Sequence, residues 1–325
     1  MATPTALMEL HARPPVLAAL DGGQWVSGDM LAARTGVTRA AIWKQINHLR
    51  AAGLAVEAQS GRGYRLRRPV RLLDAAAIAA AADAGEVEVD VLWEVVSTST
   101  LLLQHAAPMP CCRAVLAECQ RGGRGRRGRQ WHSPCAAHIY LSMAWDLPTA
   151  PANFSAWPLA AGVAVAEALE GATGAALQLK WPNDLVWQGR KLAGLLLESR
   201  WEHNGGCRLV LGVGVNVDAA ALAGVDQPVV SLEEIMGVLP DRNVVAGRLI
   251  AGLLDAFRSF QHDAAAWREP WWHRDLLRGQ QVLISQEQAE LHGTAVGVAA
   301  DGALEVQTDE GCRQVRAGEV SVRMA

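Results

Sequence analysis

No stretch of this 325-residue chain stays apolar for long. The longest runs, such as 73–82, are short and Ala-rich. A membrane-spanning helix needs roughly 18 apolar residues, so none is expected. Met1 to Met8 lacks a basic start followed by an apolar stretch, and no secretory signal is visible. No C-x-x-C pair occurs among the six cysteines Cys111, Cys112, Cys119, Cys135, Cys207 and Cys312. The neighbours Cys111 and Cys112 are poorly placed for a structural disulfide. This scatter argues against a zinc site and for reduced thiols in a cytoplasmic protein. A G-x-x-x-x-G-K-[ST] loop is also missing, which excludes a P-loop enzyme. Charged residues make up only 19% of the chain and hydrophobic residues half. Such a chain is globular, with a core large enough for two or three domains.

What charge there is falls unevenly. Residues 1–71 hold ten Arg and Lys but four acids, a net +6, whereas the whole chain carries −3. A basic first domain on an acidic body points to a polyanion for one part only. The segment 16–66 reads as a winged helix-turn-helix. A first helix closes near Leu20 and is stopped by Asp21-Gly22-Gly23. Ser27 caps a helix over 28–34, and Gly36 supplies a turn. Thr38 caps a second helix over 39–52, which Gly53 ends. Ile42, Ile46 and Leu49 form its buried stripe. Thr38, Arg39, Lys44, Gln45 and His48 are left to face a DNA groove. A strand around 54–56, a turn at Ser60-Gly61-Arg62-Gly63 and a return through Tyr64 and Leu66 make a wing with Arg62 at its tip. A helical bundle with a solvated basic face is the alternative; the agreement of caps, pattern and charge favours DNA binding.

Residues 67–73 read as a linker broken by Pro69. Strands are expected over 92–96, 114–119, 139–145, 177–181, 192–199 and 209–217, with helices over 159–170 and 244–260. This is an α/β or α+β body with several antiparallel pairings. From residue 280 onward short strands and turn signals indicate a small β-barrel or sandwich of about 50 residues.

The densest chemistry lies in Gly123-Arg124-Gly125-Arg126-Arg127-Gly128-Arg129-Gln130-Trp131. Glycine allows the backbone close to an anion, and arginine donates in a planar fork. The glycines spell G-x-G-x-x-G, but that dinucleotide fingerprint needs a helix opening at its third glycine. Arg129-Gln130-Trp131-His132-Ser133-Pro134 cannot begin one. A cationic loop that orders around phosphate remains. Four further islands follow the same theme. Ser97-Thr98-Ser99 offers hydroxyls to a small polar head group. Lys180-Trp181-Pro182-Asn183-Asp184 projects a cation, an amide and a carboxylate suited to Mg²⁺ beside a triphosphate. Lys191-Leu192-Ala193-Gly194 offers an ammonium to a carboxylate or phosphate oxygen. Gly212-Val213-Gly214-Val215-Asn216 places glycines in a strand, where a ligand can approach.

In that order, with Gln120 ahead of the arginine loop, these islands strongly resemble the bacterial biotin protein ligases. The winged helix makes the chain similar to the bifunctional subclass, the ligase that is also the biotin operon repressor. The resemblance runs from about residue 15 to the C-terminus. It implies an α+β multidomain fold: a winged helix-turn-helix over 1–68, a central mixed α/β catalytic domain related to class II synthetases over 69–275, and a small SH3-like β domain over 276–325. It implies that ATP activates biotin as biotinyl-5′-adenylate, and that biotin then passes to a lysine of the biotin carboxyl carrier protein of acetyl-CoA carboxylase. ATP with Mg²⁺ is the implied co-substrate, with no tightly bound metal. Ser97, Thr98, Ser99 and Gln120 would hold the biotin ring system. Gly123, Arg124, Gly125 and Arg126 would close over biotin and adenylate. Lys191 would contact the carboxylate and the α-phosphate, and Gly194 and Gly212 would leave room. Lys180, Asn183, Asp184 and Asn216 are nucleotide candidates, Asp184 being the one for Mg²⁺. The implied partners are operator DNA and a second copy of the adenylate-bound chain, with no membrane. A ligand-sensing repressor without ligase activity and a lipoate–protein ligase are the alternatives. One departure is plain: the family reads Asp-Ser-Thr-Asn where this chain has Val96-Ser97-Thr98-Ser99.

Overall fold

The computed structural model describes residues 13–20, 23–83, 85, 87–109, 112–149, 153–201, 205–285, 290–317 and 321–324. The first domain holds α1 (Pro15–Ala19), α2 (Gly28–Thr35), α3 (Arg39–Ala51), β1 (Val56–Gln59) and β2 (Gly63–Leu66). Its helices start where their caps stand. Ser27 Oγ accepts from the Met30 amide at 3.1 Å, and Thr38 Oγ1 from the Ala41 amide at 3.2 Å. Gly36 ends α2 in the left-handed conformation, φ 69°. The expected stop at Asp21 and Gly22 lies outside the described residues. β1 and β2 pair antiparallel as the wing.

This domain does not hang from a free linker. Its core of Leu17, Leu31, Ile42, Ile46, Leu49 and Leu66 runs on into Trp93, Cys119 and Cys135 of the next domain. The linker itself is pinned. Arg242 donates to the Arg71 carbonyl at 2.9 Å, Asn243 to the Leu72 carbonyl at 3.1 Å, and the Asp74 amide to Asn243 Oδ1 at 2.8 Å. Glu118 accepts from the Leu73 amide and forms an ion pair with Arg242 at 2.8 Å, the two side chains 3% and 5% exposed.

The central domain is built from α4 (Ala75–Ala82), β3 (Val87–Val95), α5 (Thr98–Gln104), β4 (Cys112–Gln120), β5 (Ile139–Leu147), α6 (Trp157–Thr173), β6 (Gln178–Lys180), β7 (Asp184–Trp187), β8 (Arg190–Trp201), β9 (Cys207–Val215), α7 (Leu232–Met236), α8 (Arg242–His262) and α9 (Arg268–Arg274). The strands form one sheet in the order β3-β4-β5-β9-β8-β7-β6. Only β3 and β4 run parallel, joined by a crossover through α5; the other neighbours are antiparallel. Alternation along the strands separates two faces. Leu141, Met143, Trp145, Leu209, Leu211 and Val213 join the core beneath α6 and α8, where Trp145, Trp157 and Phe257 meet ring to ring. Val115, Ala117, Ala144 and Val210 face α5 with Leu102.

The last domain is a five-stranded antiparallel sheet, β10 (Gln281–Ser285), β11 (Glu290–Val298), β12 (Leu304–Thr308), β13 (Gly311–Val315) and β14 (Ser321–Met324), in the order β13-β12-β11-β10-β14. It is tied back by Trp181 Nε1 to the Gly302 carbonyl at 2.9 Å and Ser155 Oγ to the Asp301 carbonyl at 2.8 Å.

The expectation of reduced thiols is corrected at one pair. Cys119 at the end of β4 and Cys135 on the segment beside it are joined as a disulfide, with Cα atoms 4.4 Å apart. The reason is local: the Ala136 amide donates to the Glu118 carbonyl at 3.0 Å, which lays the two backbones side by side. Cys112 and Cys207 are buried, Cys312 is exposed, and Cys111 lies outside the described residues. Among the described residues no helix is long and apolar enough to cross a membrane.

Candidate active site

The cleft lies on the face of the sheet that α5 covers. The register brings Ser142 opposite Gly212, Tyr140 opposite Gly214, and Gly194 opposite both Gly214 and Asp184. Polar or small residues in these strands therefore line a cavity of about 600 Å³, within the usual range for small-molecule sites.

At one end Ser97 caps α5 by accepting from the Thr100 amide at 3.3 Å. Thr98 and Ser99 follow, and both side chains meet Ser142: Thr98 Oγ1 at 2.7 Å and Ser99 Oγ at 2.9 Å from Ser142 Oγ. Gln120 Oε1 accepts from the Thr98 amide at 3.0 Å and from Thr98 Oγ1 at 3.2 Å. Its amide nitrogen donates to Ser133 Oγ at 3.3 Å, and Ser133 in turn to the Trp131 carbonyl at 3.0 Å. Buried hydroxyls and an oriented amide can match a ligand with both donors and acceptors. A Cβ at Gly212 would stand 2.8 Å from Ser99 Oγ, so glycine leaves that group its space.

α5 is held from its far end by Arg208, 1% exposed. Arg208 donates to the carbonyls of Leu102 at 3.1 Å, His105, and Ala107 at 2.9 Å, and to Asp146 at 2.6 Å. Burial alone would raise the Asp146 carboxyl, but hydrogen bonds from Arg208 and the Met109 amide take it below the ordinary carboxylate range.

The arginine loop roofs the middle of the cleft. Arg126 to Gly128 make one 3₁₀ turn with Arg127 at φ 59°, and the chain then runs extended, so no helix opens at Gly128. Arg124, Gly125 and Arg126 line the cleft. Arg124 pairs with Glu198 at 2.7 Å, and Arg126 donates to the Ala317 carbonyl of the last domain at 3.0 Å. Burial raises the Glu198 carboxyl, with Arg124 pulling the other way. Lys191 faces this roof from β8, 2.7 Å from Asp184 and 5.3 Å from the centre of the Trp131 ring. Lys180 and Asn183 line the same side; Asn183 donates to the Leu195 carbonyl. The Trp181–Pro182 peptide in this turn is cis. Among the described residues no group of three or more His, Cys, Asp or Glu is arranged to hold a metal.

Some expected residues stand elsewhere. Asn216 is buried away from the cleft and donates to the Lys191 carbonyl at 3.1 Å, so it steadies Lys191 from behind. Gly123 makes room for the Ser133–Gln120 contact rather than for a ligand, since a Cβ there would meet Ser133 Oγ at 2.6 Å. His48, expected on the side of α3 toward DNA, is turned instead toward Glu94 of β3, at 3.5 Å. Thr38 spends its hydroxyl as a cap, and Gln45 buries its Oε1. Arg39 and Lys44 remain on the exposed side of α3 together with Trp43, 58% exposed. Arg62 and Arg65 of the wing lie against the ring of Trp25, 4.9 Å and 4.7 Å from its centre.

Residue patterns missed Ser142, Ser133, Glu198 and Arg323, all on or beside the cleft. A serine inside the apolar strand 139–145 was the one available signal. Trp131 ends the arginine-glycine motif in the sequence, and in the fold it forms part of the cleft wall. A Cβ at Gly214 would come within 2.6 Å of its Cζ2, and one at Gly194 3.0 Å from its Cζ3. Its Nε1 is buried without a hydrogen-bond partner.

Residues 95–216 match the Biotin/lipoate A/B protein ligase family, 17–65 the HTH domain, and 278–323 the biotin protein ligase C-terminal domain. The chain is 36% identical over 313 residues to the bifunctional ligase/repressor BirA of Escherichia coli (strain K12), covering 95% of this chain and 97% of that protein. It is 35% identical over 230 residues to the biotin–[acetyl-CoA-carboxylase] ligase of Mycobacterium tuberculosis, covering 68% and 82%. The solved biotin protein ligase from Aquifex aeolicus in complex with biotin and ATP superposes with a TM-score of 0.63 at 28% identity, over 73% of this chain and 99% of that one. With the helix-turn-helix ahead of the cleft and the small β domain behind it, the chain belongs to the biotin protein ligase family, in the group of bifunctional ligase/repressors.

Proposed function

We propose that this protein joins biotin to ATP as biotinyl-5′-adenylate and passes biotin to a lysine of the biotin carboxyl carrier protein of acetyl-CoA carboxylase. One observation carries the reading: the hydroxyl set at Thr98, Ser99 and Ser142 and the cations Lys191, Arg124 and Arg126 line a single cleft. The ring system of biotin sits among the hydroxyls and Gln120, and its carboxylate reaches Lys191. Two anions must meet there, so cations have to offset their repulsion. A carboxylate oxygen attacks the α-phosphorus in line and pyrophosphate leaves. Lys191 screens the carboxylate and the α-phosphate, while Arg124 and Arg126 hold the phosphate from the roof. Trp131 keeps water from the anhydride. The ε-amine of the carrier lysine then attacks the acyl carbon and AMP departs; no protein nucleophile is needed. Mg²⁺ enters with the nucleotide. Asp184, shared with Lys191, would offer one carboxylate to an ion held otherwise by phosphate oxygens and water.

The helix-turn-helix extends this to repression. The exposed side of α3, with Arg39, Trp43 and Lys44, faces the major groove, and the wing carries Arg62 to the backbone. The adenylate-bound chain dimerises so that two such domains bind two half-sites. Lipoate is the second substrate to consider, because the family is shared; the dense arginine loop and the attached DNA-binding domain favour biotin. Incubation with ATP and a purified carrier domain, with biotin or lipoate offered separately, tests the reading. Label on the carrier lysine with biotin alone is expected. Transfer of lipoate alone, or of neither, would overturn it.

A further inference from the structure

The roof segment leaves the sheet after Gln120 and returns at residue 135. Cys119 and Cys135 stand at these two ends, joined as a disulfide. No step of adenylate formation or transfer uses either sulfur. The same point carries the DNA-binding domain. The Cys135 amide donates to the Ala52 carbonyl, one residue past α3, at 2.8 Å. Pro134 packs against Gly53, where a Cβ would stand 2.9 Å from Pro134 Cβ. Glu94 holds His48 of α3 at 3.5 Å and Arg121, the first residue of the roof, at 2.9 Å. Both sulfurs belong to the buried cluster that includes Leu49 and Leu54. The end of the recognition helix and both ends of the roof thus meet around one bond.

We propose that Cys119 and Cys135 form a reversible dithiol–disulfide site, which a low-molecular-weight disulfide oxidises and which sets how firmly the roof and the winged helix are held together. The Cys119 thiolate attacks the small disulfide RSSR, forming a mixed disulfide and releasing RS⁻. The Cys135 thiolate then attacks the Cys119 sulfur, the mixed bond breaks, and a second RS⁻ leaves. The two thiol protons end on the two RSH released, so two electrons pass from protein to RSSR. Both sulfurs are buried, so exchange requires the seam between α3 and the roof to part. With the bond made, the roof is a closed ring before any ligand arrives, and less conformational freedom is lost when it orders over the adenylate. With the bond reduced, its ends are held only by non-covalent contacts: hydrogen bonds, the Arg121–Glu94 ion pair and packing. This effect on the adenylate rests on the ligase reading; the exchange chemistry does not.

Full-length protein is equilibrated at several ratios of reduced to oxidised glutathione, alkylated, digested and analysed for the peptide linking Cys119 to Cys135. Its abundance is expected to follow the ratio reversibly. In parallel, loss of bound biotinyl-adenylate is timed in oxidising and reducing buffer for the wild type and for Cys135→Ser. The oxidised wild type should release adenylate about tenfold more slowly, and Cys135→Ser should release at the reduced rate in both buffers. Absence of the linked peptide at every ratio, or a bond to another cysteine in its place, would overturn the proposal. So would equal release by oxidised and reduced wild type, a comparison that stands if the variant fails to fold. If no adenylate forms at all, the ligase reading fails and the peptide titration still decides the site.

Discussion

Lys191 is shared between Asp184 and the face of Trp131, and its backbone is tied down by Asn216. A cation fixed this way stabilises charge as it develops without reorganising first. Lys191→Ala should lower biotin-dependent pyrophosphate release by about 100-fold, the scale of a lost preorganised donor; release within twofold of wild type would remove Lys191 from the reaction. Gly214→Ala probes the wall from the other side. Its new methyl collides with Trp131, so the variant should stay folded by circular dichroism and lose at least about tenfold in the same assay. Wild-type turnover would mean that Trp131 does not pack there during the reaction. His138 governs a different property. It is fully buried, accepts a hydrogen bond from the Val217 amide at 3.0 Å, and is pushed down to about 3 by burial, with His132 and Arg242 adding to the effect. Between pH of about 6.5 and 3 the unfolded chain takes up a proton that the folded chain refuses. Stability is therefore complete above that window and falls by about 1.4 kcal/mol per pH unit within it. Asp146 adds to the loss at lower pH, since its depressed carboxyl must be protonated as pH falls. Urea unfolding from pH 7 to pH 4.5 should show a shallower decline for His138→Gln than for wild type; equal slopes would assign the acid sensitivity elsewhere.

At the scale of elements, strand periodicity and caps were legible, and register was not. The stripe Ile42–Ile46–Leu49 and the caps Ser27 and Thr38 defined α2 and α3 to within a residue or two, because these signals are local. The six expected strands all exist. Four are longer than anticipated, 209–217 keeps its length but starts two residues earlier as Cys207–Val215, and Leu177–Trp181 shrank to Gln178–Lys180. Four helices of the central domain have no counterpart in the expected pattern, Ala75–Ala82, Thr98–Gln104, Leu232–Met236 and Arg268–Arg274, and the first two escape for different reasons. Ala75–Ala82 looked only like a short apolar run, although Asp74 caps it at 2.8 Å. Thr98–Gln104 was hidden by its own hydroxyls, read as ligands when Ser97 is also a cap. Ser142 escaped because nothing within 139–145 states that it lies opposite Gly212 or beside Ser99. Glu118 and Arg242, 124 positions apart in sequence, could be matched only after folding. The placement of α5 yields a prediction of its own. Arg208→Met strips its last carbonyls of their donor and leaves Asp146 without its guanidinium, which should cost about 3 kcal/mol in urea unfolding. Because α5 carries Thr98 and Ser99 at its start, KM for biotin should rise more than kcat falls. A fall in kcat alone would contradict the positioning role.

Across the whole molecule, the domain boundaries suggested by charge and turns hide how closely the parts are joined. The first domain shares its core with Trp93, Cys119 and Cys135, and the last domain reaches the roof through Ala317 and the cleft through Arg323. Removing residues 1–66 should uncover that seam. Such a chain should melt at lower temperature and aggregate sooner than the full one; an unchanged melting temperature would show that the domains are only neighbours. The arginine-glycine loop, which the sequence left as an anion cradle, is in the fold a roof fastened at its base and met by Lys191 from below. In the proposed reaction its role is to help make and keep a mixed anhydride. The most direct test mixes the full-length protein with biotin and MgATP, removes free small molecules by rapid desalting, and weighs what stays bound by mass spectrometry. Close to one equivalent of biotinyl-5′-adenylate per chain is expected, formed with biotin and not with lipoate. Intact ATP or biotin alone, or no bound adenylate, would contradict it.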